Sequence, residues 1–206
     1  GESFNGSAAI TLGINNLSDC LVVNSSYFIG NIPANQSGAE YNIAIGQTAL
    51  SAITSGDKNV AIGHNALSSH TTGNGCVAIG YNALQVNTTA TNNTAVGYQA
   101  LLVDTTGREN VALGSETLMS TTTGNYNTAV GHVALGANVT GEFNTAVGNH
   151  AMRNNTASAN TALGNKALLS NTTGANNTAV GYQASNSNTT GHRNTSIGRL
   201  ADFHNE

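Results

Sequence analysis

The residues that could carry chemistry in this sequence are few, and they form no recognisable catalytic or metal-binding motif. Six histidines and ten acidic residues are spread over 206 residues, without His-x-His, Cys-x-x-Cys, His-Glu-x-x-His or repeated calcium-loop spacing. Carboxylates do not recur in pairs on one face, and the Gly-x-Ser-x-Gly nucleophile motif is absent. The sequence therefore predicts no catalytic residue, no metal site and no cofactor, and we do not expect an enzyme.

Composition excludes further classes of protein. Lys and Arg number six and the formal net charge is −4, which is too little positive charge for binding nucleic acid. Only 8% of residues are charged, whereas Asn, Thr and 24 glycines are abundant, so a largely helical fold is disfavoured. No apolar run approaches the roughly 20 residues of a membrane span, and we expect no membrane insertion.

One glycine recurs at a nearly constant interval along the whole chain. Nine of the eleven intervals have the same length, about 17 residues, and the other two are shorter by one. The anchor glycines are Gly13, Gly30, Gly46, Gly63, Gly80, Gly97, Gly114, Gly131, Gly148, Gly164, Gly181 and Gly198. Twelve such units account for almost the whole chain, which predicts a single repeat domain over residues 1–206.

The residues around each anchor glycine form columns of similar type. The positions three and one before it, such as Val60 and Ile62, are β-branched or apolar and share one face of a short strand. Leucine stands four residues after the anchor, and a polar turn follows, often Thr-Thr-Gly as at Thr105 to Gly107. Each unit is thus interpreted as a strand, a glycine turn, a second short strand and a polar turn.

A unit of this length fits one coil of a parallel β-solenoid, because it is too short for a helix and two strands. Neighbouring coils lie about 4.8 Å apart, so twelve coils predict a rod of roughly 55–60 Å. The asparagine four before the anchor, as in Asn59 and Asn110, is expected to form a hydrogen-bonded ladder along one corner. Glycan attachment is the alternative use of asparagine, since Asn87, Asn138 and Asn171 begin sequons.

The two cysteines are predicted to remain unpaired. Cys20 and Cys76 fall three to four coils apart, which is roughly 15–19 Å along the rod. A disulfide requires Cα atoms within about 7 Å of each other. Cys76 occupies the asparagine column and is expected to be a buried free thiol.

A nearly pure alanine column lies between the two flanking positions of each strand, and it has two interpretations. The alanines are Ala61, Ala78, Ala95, Ala112, Ala129 and Ala146, among others. If the flanking Val and Thr side chains fill the interior, these alanines lie outside and indicate close packing against another chain. If the interior is very narrow, the alanines fill it and the flanking residues point outward. The small core that each coil can form favours the first interpretation, in which the alanines form an interface between chains.

Two segments carry a resemblance to a known family. Asn59-Val60-Ala61-Ile62-Gly63-His64-Asn65-Ala66-Leu67 and Cys76-Val77-Ala78-Ile79-Gly80-Tyr81-Asn82-Ala83-Leu84 resemble the YadA-like head repeats of trimeric autotransporter adhesins and related bacteriophage tail-fibre repeats. The resemblance covers nearly the whole chain, although the family's repeats are shorter and lack the regular Thr-Thr-Gly turn. It implies a left-handed parallel β-roll, a homotrimer, and a location that is extracellular, on a cell surface or on a virion. It supplies no universal binding residues.

These features predict a structural fibre or adhesin segment, part of a longer fibre or stacked end to end, that forms a rigid rod for attachment to a glycan or protein receptor. The column after the anchor is the most variable, and its residues Tyr81, Tyr98, Tyr182, His64 and His132 are candidate receptor contacts. Sugars could stack on Tyr81 and Tyr98; alternatively, the tyrosines only fill a corner or a chain interface.

Two other functions remain open. One is an ice-binding solenoid, and the other is a spacer whose receptor-binding tip lies elsewhere.

Overall fold

The computed structural model describes residues 20–30, 33 and 38–201, which form a parallel β-solenoid. No helix occurs in these ranges. The strands are β1 Cys20–Val23, β2 Ser26–Ile29, β3 Ile43–Ile45, β4 Val60–Ile62, β5 Val77–Ile79, β6 Thr94–Val96, β7 Val111–Leu113, β8 Thr128–Val130, β9 Thr145–Val147, β10 Thr161–Leu163, β11 Thr178–Val180 and β12 Thr195–Ile197. They form one sheet in chain order, parallel from β2 onward, which confirms the predicted all-β parallel solenoid.

The coils stack in register, so equivalent residues of successive repeats lie beside each other. Val60 pairs with Val77 and Ala61 with Ala78, and the same correspondence continues to β12. Backbone hydrogen bonds join the coils outside the strands as well, for example from Leu67 N to Ala83 O at 3.1 Å. Each coil is therefore held by its two neighbours, as in other solenoids.

The unit anchored at Gly30 contains a hairpin in place of a full coil, which corrects the prediction of twelve coils. Strands β1 and β2 pair antiparallel through a two-residue turn at Asn24 and Ser25, which have φ of 47° and 59°. Two successive left-handed residues reverse the chain in the manner of a type I′ turn, so this unit cannot continue as a coil. The solenoid comprises about ten turns, with the hairpin covering its first coil, and Gly13 lies outside the described residues.

The second short strand predicted after each anchor glycine is also absent from the described residues. This segment is a series of tight turns, in which the residues two and four after the anchor have positive φ, for example Asn65 at 58° and Leu67 at 50°. The turns direct Ala66 and Leu67 into the interior, where both are fully buried. The prediction of a second strand is therefore wrong, because consecutive residues of a strand would point to opposite faces and Ala66 and Leu67 are both buried.

The alanine column faces the interior of its own chain, so its assignment to an interface between chains is wrong. Ala61, Ala78, Ala95, Ala112, Ala129 and Ala146 are all fully buried. The flanking side chains, such as Val60 and Ile62, point the other way and stay partly exposed. The interior also holds the Leu and Asn columns, in which Met152, Ser185 and Cys76 are the exceptions. The alternation of side chains along a strand places the alanine methyl group opposite them.

Candidate functional site

The outward side chains of the ten coil strands form a continuous surface, here called the outer stripe. It comprises the first and third residues of β3 to β12, which are Ile, Val, Leu or Thr throughout. Its apolar members include Leu163, which is 49% exposed, and Ile197, which is 72% exposed. Exposed apolar side chains thus lie next to each other over ten strands, about 43 Å along the rod. A continuous apolar surface of this kind is typical of a contact surface, whereas single exposed apolar residues are not.

Three of the five candidate contact residues lie together at the corner after the anchor glycine. The rings of His64 and Tyr81 stack with centroids 5.3 Å apart, and those of Tyr81 and Tyr98 stack with centroids 5.6 Å apart. The planes are within 10° of parallel, so the ring faces are turned toward each other along the rod. A sugar cannot enter between rings at this spacing, and the row presents ring edges and phenol groups to a partner.

The other two candidates are separate from that row. Tyr182 has the guanidinium of Arg199 5.8 Å from its ring centroid. His132 meets His150 edge to face, with centroids 5.4 Å apart. Burial, followed by the charges of Arg153, His132 and Lys166, lowers the pKa of His150. Basic neighbours disfavour a metal ion at this pair.

A second exposed aromatic pair was missed in the sequence. Tyr126 and Phe143 stack with centroids 5.1 Å apart and planes within 6°. Both stand five residues before an anchor glycine, the column that also contains the exposed Tyr41, and both have positive φ. Aligning the repeats would have shown these aromatic residues in one column, but the column is otherwise polar and mixed.

The predicted asparagine ladder is present and is built mainly from bonds between side chain and backbone. In a typical rung, Asn110 Oδ1 accepts a hydrogen bond from Asn127 N at 3.0 Å, and Asn110 Nδ2 donates to Gly124 O at 2.8 Å. The same pair of bonds is made by Asn42, Asn59, Asn93, Asn127, Asn144, Asn160 and Asn177, with Cys76 N taking the place of asparagine N–H above Asn59. Each rung therefore ties one coil to the next through buried groups that satisfy each other.

Cys76 is the exception in this ladder. It is a buried free cysteine, as predicted, and its Sγ lies 3.5 Å from Ala90 O. Burial raises the pKa of its thiol to about 11, so the thiol is protonated at neutral pH and is a poor nucleophile. Its sulfur faces the backbone N–H of Asn93 and is a weaker acceptor than the amide oxygen with which Asn93 accepts the N–H of Asn110.

Replacing Cys76 with asparagine is expected to stabilise the solenoid by about 0.5–1.5 kcal/mol, because stronger amide hydrogen bonds replace the weak bonds of the thiol. The new amide would accept from Asn93 N and donate to Ala90 O, as its equivalents do. Urea unfolding monitored by circular dichroism measures the change. Cys76→Ser is the matched control, since a hydroxyl is too short to make both bonds; an unchanged or lower stability of Cys76→Asn would contradict the expected gain.

The interior contains a further polar column, seven residues after each anchor from Gly63 to Gly181, which was not predicted from the sequence. It includes the sequon residues Asn87, Asn138 and Asn171, all fully buried, so the folded chain does not present these side chains for glycosylation. Across the described ranges, no group of three or more His, Cys, Asp or Glu is placed to hold a metal ion. A search of the same ranges for a helix long and apolar enough to span a bilayer finds none.

Comparisons with known proteins identify no relative of this chain: no protein-family model, no curated protein and no solved structure matches it.

Proposed function

We propose that this chain is a rod-forming segment of an extracellular fibre or adhesin, on a cell surface or a virion, that assembles with copies of itself. The observation that carries the proposal is the outer stripe, a continuous apolar surface on a solenoid whose coils are joined by backbone and asparagine hydrogen bonds. The interior of one coil is already filled by its own Ala, Leu and Asn columns. The outer stripe is therefore the apolar surface left for a second copy, and it replaces the alanine column in that role.

A homotrimer is the assembly that we propose, with the three outer stripes facing a common axis. The stripe is continuous because each coil contributes equivalent residues in register. Three such rods packed along their length would cover Ile79, Leu113 and their equivalents, which a single chain leaves exposed. The resemblance to trimeric adhesin and tail-fibre repeats supports the same number of chains.

The mass of the native protein in dilute solution tests this assembly, and we expect that of three chains. Replacing Ile79 and Val96 with lysine places charge within the stripe, and is expected to give folded monomers because both side chains point away from the core. Tyr81→Ala with Tyr98→Ala is the control pair on another surface and should leave the mass unchanged. A wild-type monomer at micromolar concentration would contradict the trimer.

Ice binding is the second candidate. It is favoured by the threonine side chains of the later strands, which point outward. Thr128, Thr145, Thr161, Thr178 and Thr195 begin five successive strands and lie on the outer stripe, evenly spaced along the rod. The first coils carry Ile or Val at the same position, which favours a protein interface there. Thermal hysteresis above a buffer control, lost on replacing Thr145 and Thr178 with lysine, would support ice binding.

The choice between adhesin and spacer depends on where the receptor is contacted. If the aromatic corner of His64, Tyr81 and Tyr98 binds a receptor, replacing both tyrosines with alanine should weaken binding to target cells or to a glycan array. Undiminished binding by a variant of wild-type mass would assign this segment to the spacer role.

A further inference from the structure

Three buried polar side chains connect three successive coils through hydrogen bonds. His70 Nδ1 lies 2.7 Å from Asn87 Oδ1, and Asn87 Nδ2 donates to Asp104 Oδ2 at 2.8 Å. The other ring nitrogen, His70 Nε2, is 2.9 Å from Gly73 O. All three side chains are fully buried, so the interior contains an imidazole and a carboxyl group joined by one amide.

No other buried charged side chain in the described residues lies beside His70 or Asp104 to balance a charge on either one. Asp104 also accepts from Asn93 Nδ2 at 3.2 Å and from Gly107 N at 3.0 Å. Cys76 is the other buried titratable side chain of these coils and is neutral. Arg108 and Glu109, which follow Gly107, are exposed, and every other charged side chain in the described ranges lies at least partly at the surface.

Two arrangements of one proton satisfy the hydrogen bonds equally well. In the first, both ring nitrogens of His70 donate, to Asn87 Oδ1 and to Gly73 O, and Asp104 is a carboxylate. In the second, the amide of Asn87 is turned over, so that Nδ2 donates to His70 Nδ1 and Oδ1 accepts the proton of Asp104. The number of protons is the same in both, and in both the net charge of the pair is zero.

We propose that His70 and Asp104, linked by Asn87, form a charge-compensating pair that retains one proton in the folded solenoid and keeps its stability insensitive to mild acid. Neither residue alone could do this, because each alone would place a titrating group in the buried interior without a counter-charge. The other coils with a polar residue in this column have Asn or Thr there, which do not titrate. His70 and Asp104 are the two ionisable residues of this column, and both form hydrogen bonds with the side-chain amide of Asn87. The two groups can therefore share one proton.

The directions of the pKa shifts agree with this arrangement. Burial lowers the pKa of His70 below its usual 6.5, and burial raises the pKa of Asp104 from 3.8 to about 7. In a range around pH 5, well between 3.8 and 6.5, the unfolded chain carries one proton on the pair, on histidine, and a folded pair with a protonated Asp104 and a neutral His70 also carries one. Folding then takes up and releases no proton from the pair, so the pair adds no pH dependence in that range.

The test measures the unfolding equilibrium constant from pH 4 to 7.5 for four proteins: wild type, His70→Asn, Asp104→Asn and the double variant. The double variant has asparagine at both positions, as most other coils do in this column. Comparison with it subtracts the pH dependence that comes from surface groups. Relative to it, we expect wild type to be nearly flat in the middle of this range, from about pH 4.8 to 5.5.

The single variants should deviate in opposite directions. Asp104→Asn leaves His70 alone with a lowered pKa, so its stability should fall as the pH falls below 6.5. His70→Asn leaves Asp104 alone with a raised pKa, so its stability should fall as the pH rises from about 4 toward 7. The change should approach tenfold in the unfolding constant per pH unit. A sloping wild-type profile, or single variants as flat as wild type, would overturn the proposal.

Discussion

Gly97→Ala is expected to disrupt the middle of the solenoid, with a loss of more than about 3 kcal/mol of stability. Gly97 has φ of 140°, a region that residues with a Cβ rarely adopt. A Cβ built there would lie 2.4 Å from Gly114 O and 2.5 Å from Gly114 C. Because these are backbone atoms of the next coil, the contact can be relieved only by separating the two coils, which breaks the bonds between them.

Gly198→Ala separates the two causes of that loss. Gly198 also has a left-handed φ, 126°, but among the described residues a Cβ there would meet only Ala201 Cβ, at 3.9 Å. This variant should therefore show the conformational cost alone, about 1–3 kcal/mol. Urea unfolding of both variants gives the comparison. Equal losses at Gly97 and Gly198 would show that the close approach of coils contributes nothing, contrary to our expectation.

Asn110→Ala is expected to cost about 2–6 kcal/mol, because it leaves two buried backbone groups without partners. Gly124 O would lose the donor Asn110 Nδ2, and Asn127 N would lose the acceptor Asn110 Oδ1. Gly124 and Asn127 are both buried, so water does not replace the lost bonds in a closed coil. The defect falls between two coils, and stacking depends on nearest neighbours.

The matched control for this substitution is Asn194→Ala, at the last rung of the ladder. Asn194 donates its backbone N–H to Asn177 Oδ1, a bond that alanine keeps, and no further coil follows in the described chain. We expect the stability of this variant to stay within about 1 kcal/mol of wild type in urea unfolding. If Asn110→Ala were as mild as this control, the ladder would contribute little to stability.

The repeat period made most of the architecture predictable. A glycine that recurs at a nearly constant interval requires units of equal size, and units so short can bury their apolar side chains only by stacking. The asparagine ladder and the unpaired Cys76 followed from the same register. The hairpin before Gly30 was not predictable in this way, because the reversal at Asn24 and Ser25 depends on two backbone angles that no column of the repeat encodes.

The candidate contacts were predicted only as positions, and their arrangement needed the folded chain. His64, Tyr81 and Tyr98 were expected at one corner and lie there, but the orientation of their rings, face to face along the rod, determines what they can offer a partner. The stacked pair of Tyr126 and Phe143 was not expected. The hydrogen bonds that connect His70, Asn87 and Asp104 were invisible in the sequence, since the three residue types share no motif.

The sequence by itself determined the period, the register and the alternation of faces, because these follow from residue types repeated at fixed spacing. Only the tertiary structure decided which face is inside. Alternation along a strand is symmetric, and the choice between Ala61 and its neighbours Val60 and Ile62 depends on what closes the coil from the other side. The left-handed turns that carry Leu67 and its equivalents bring bulky side chains into the interior, and the inward strand position opposite them is alanine from β3 to β11.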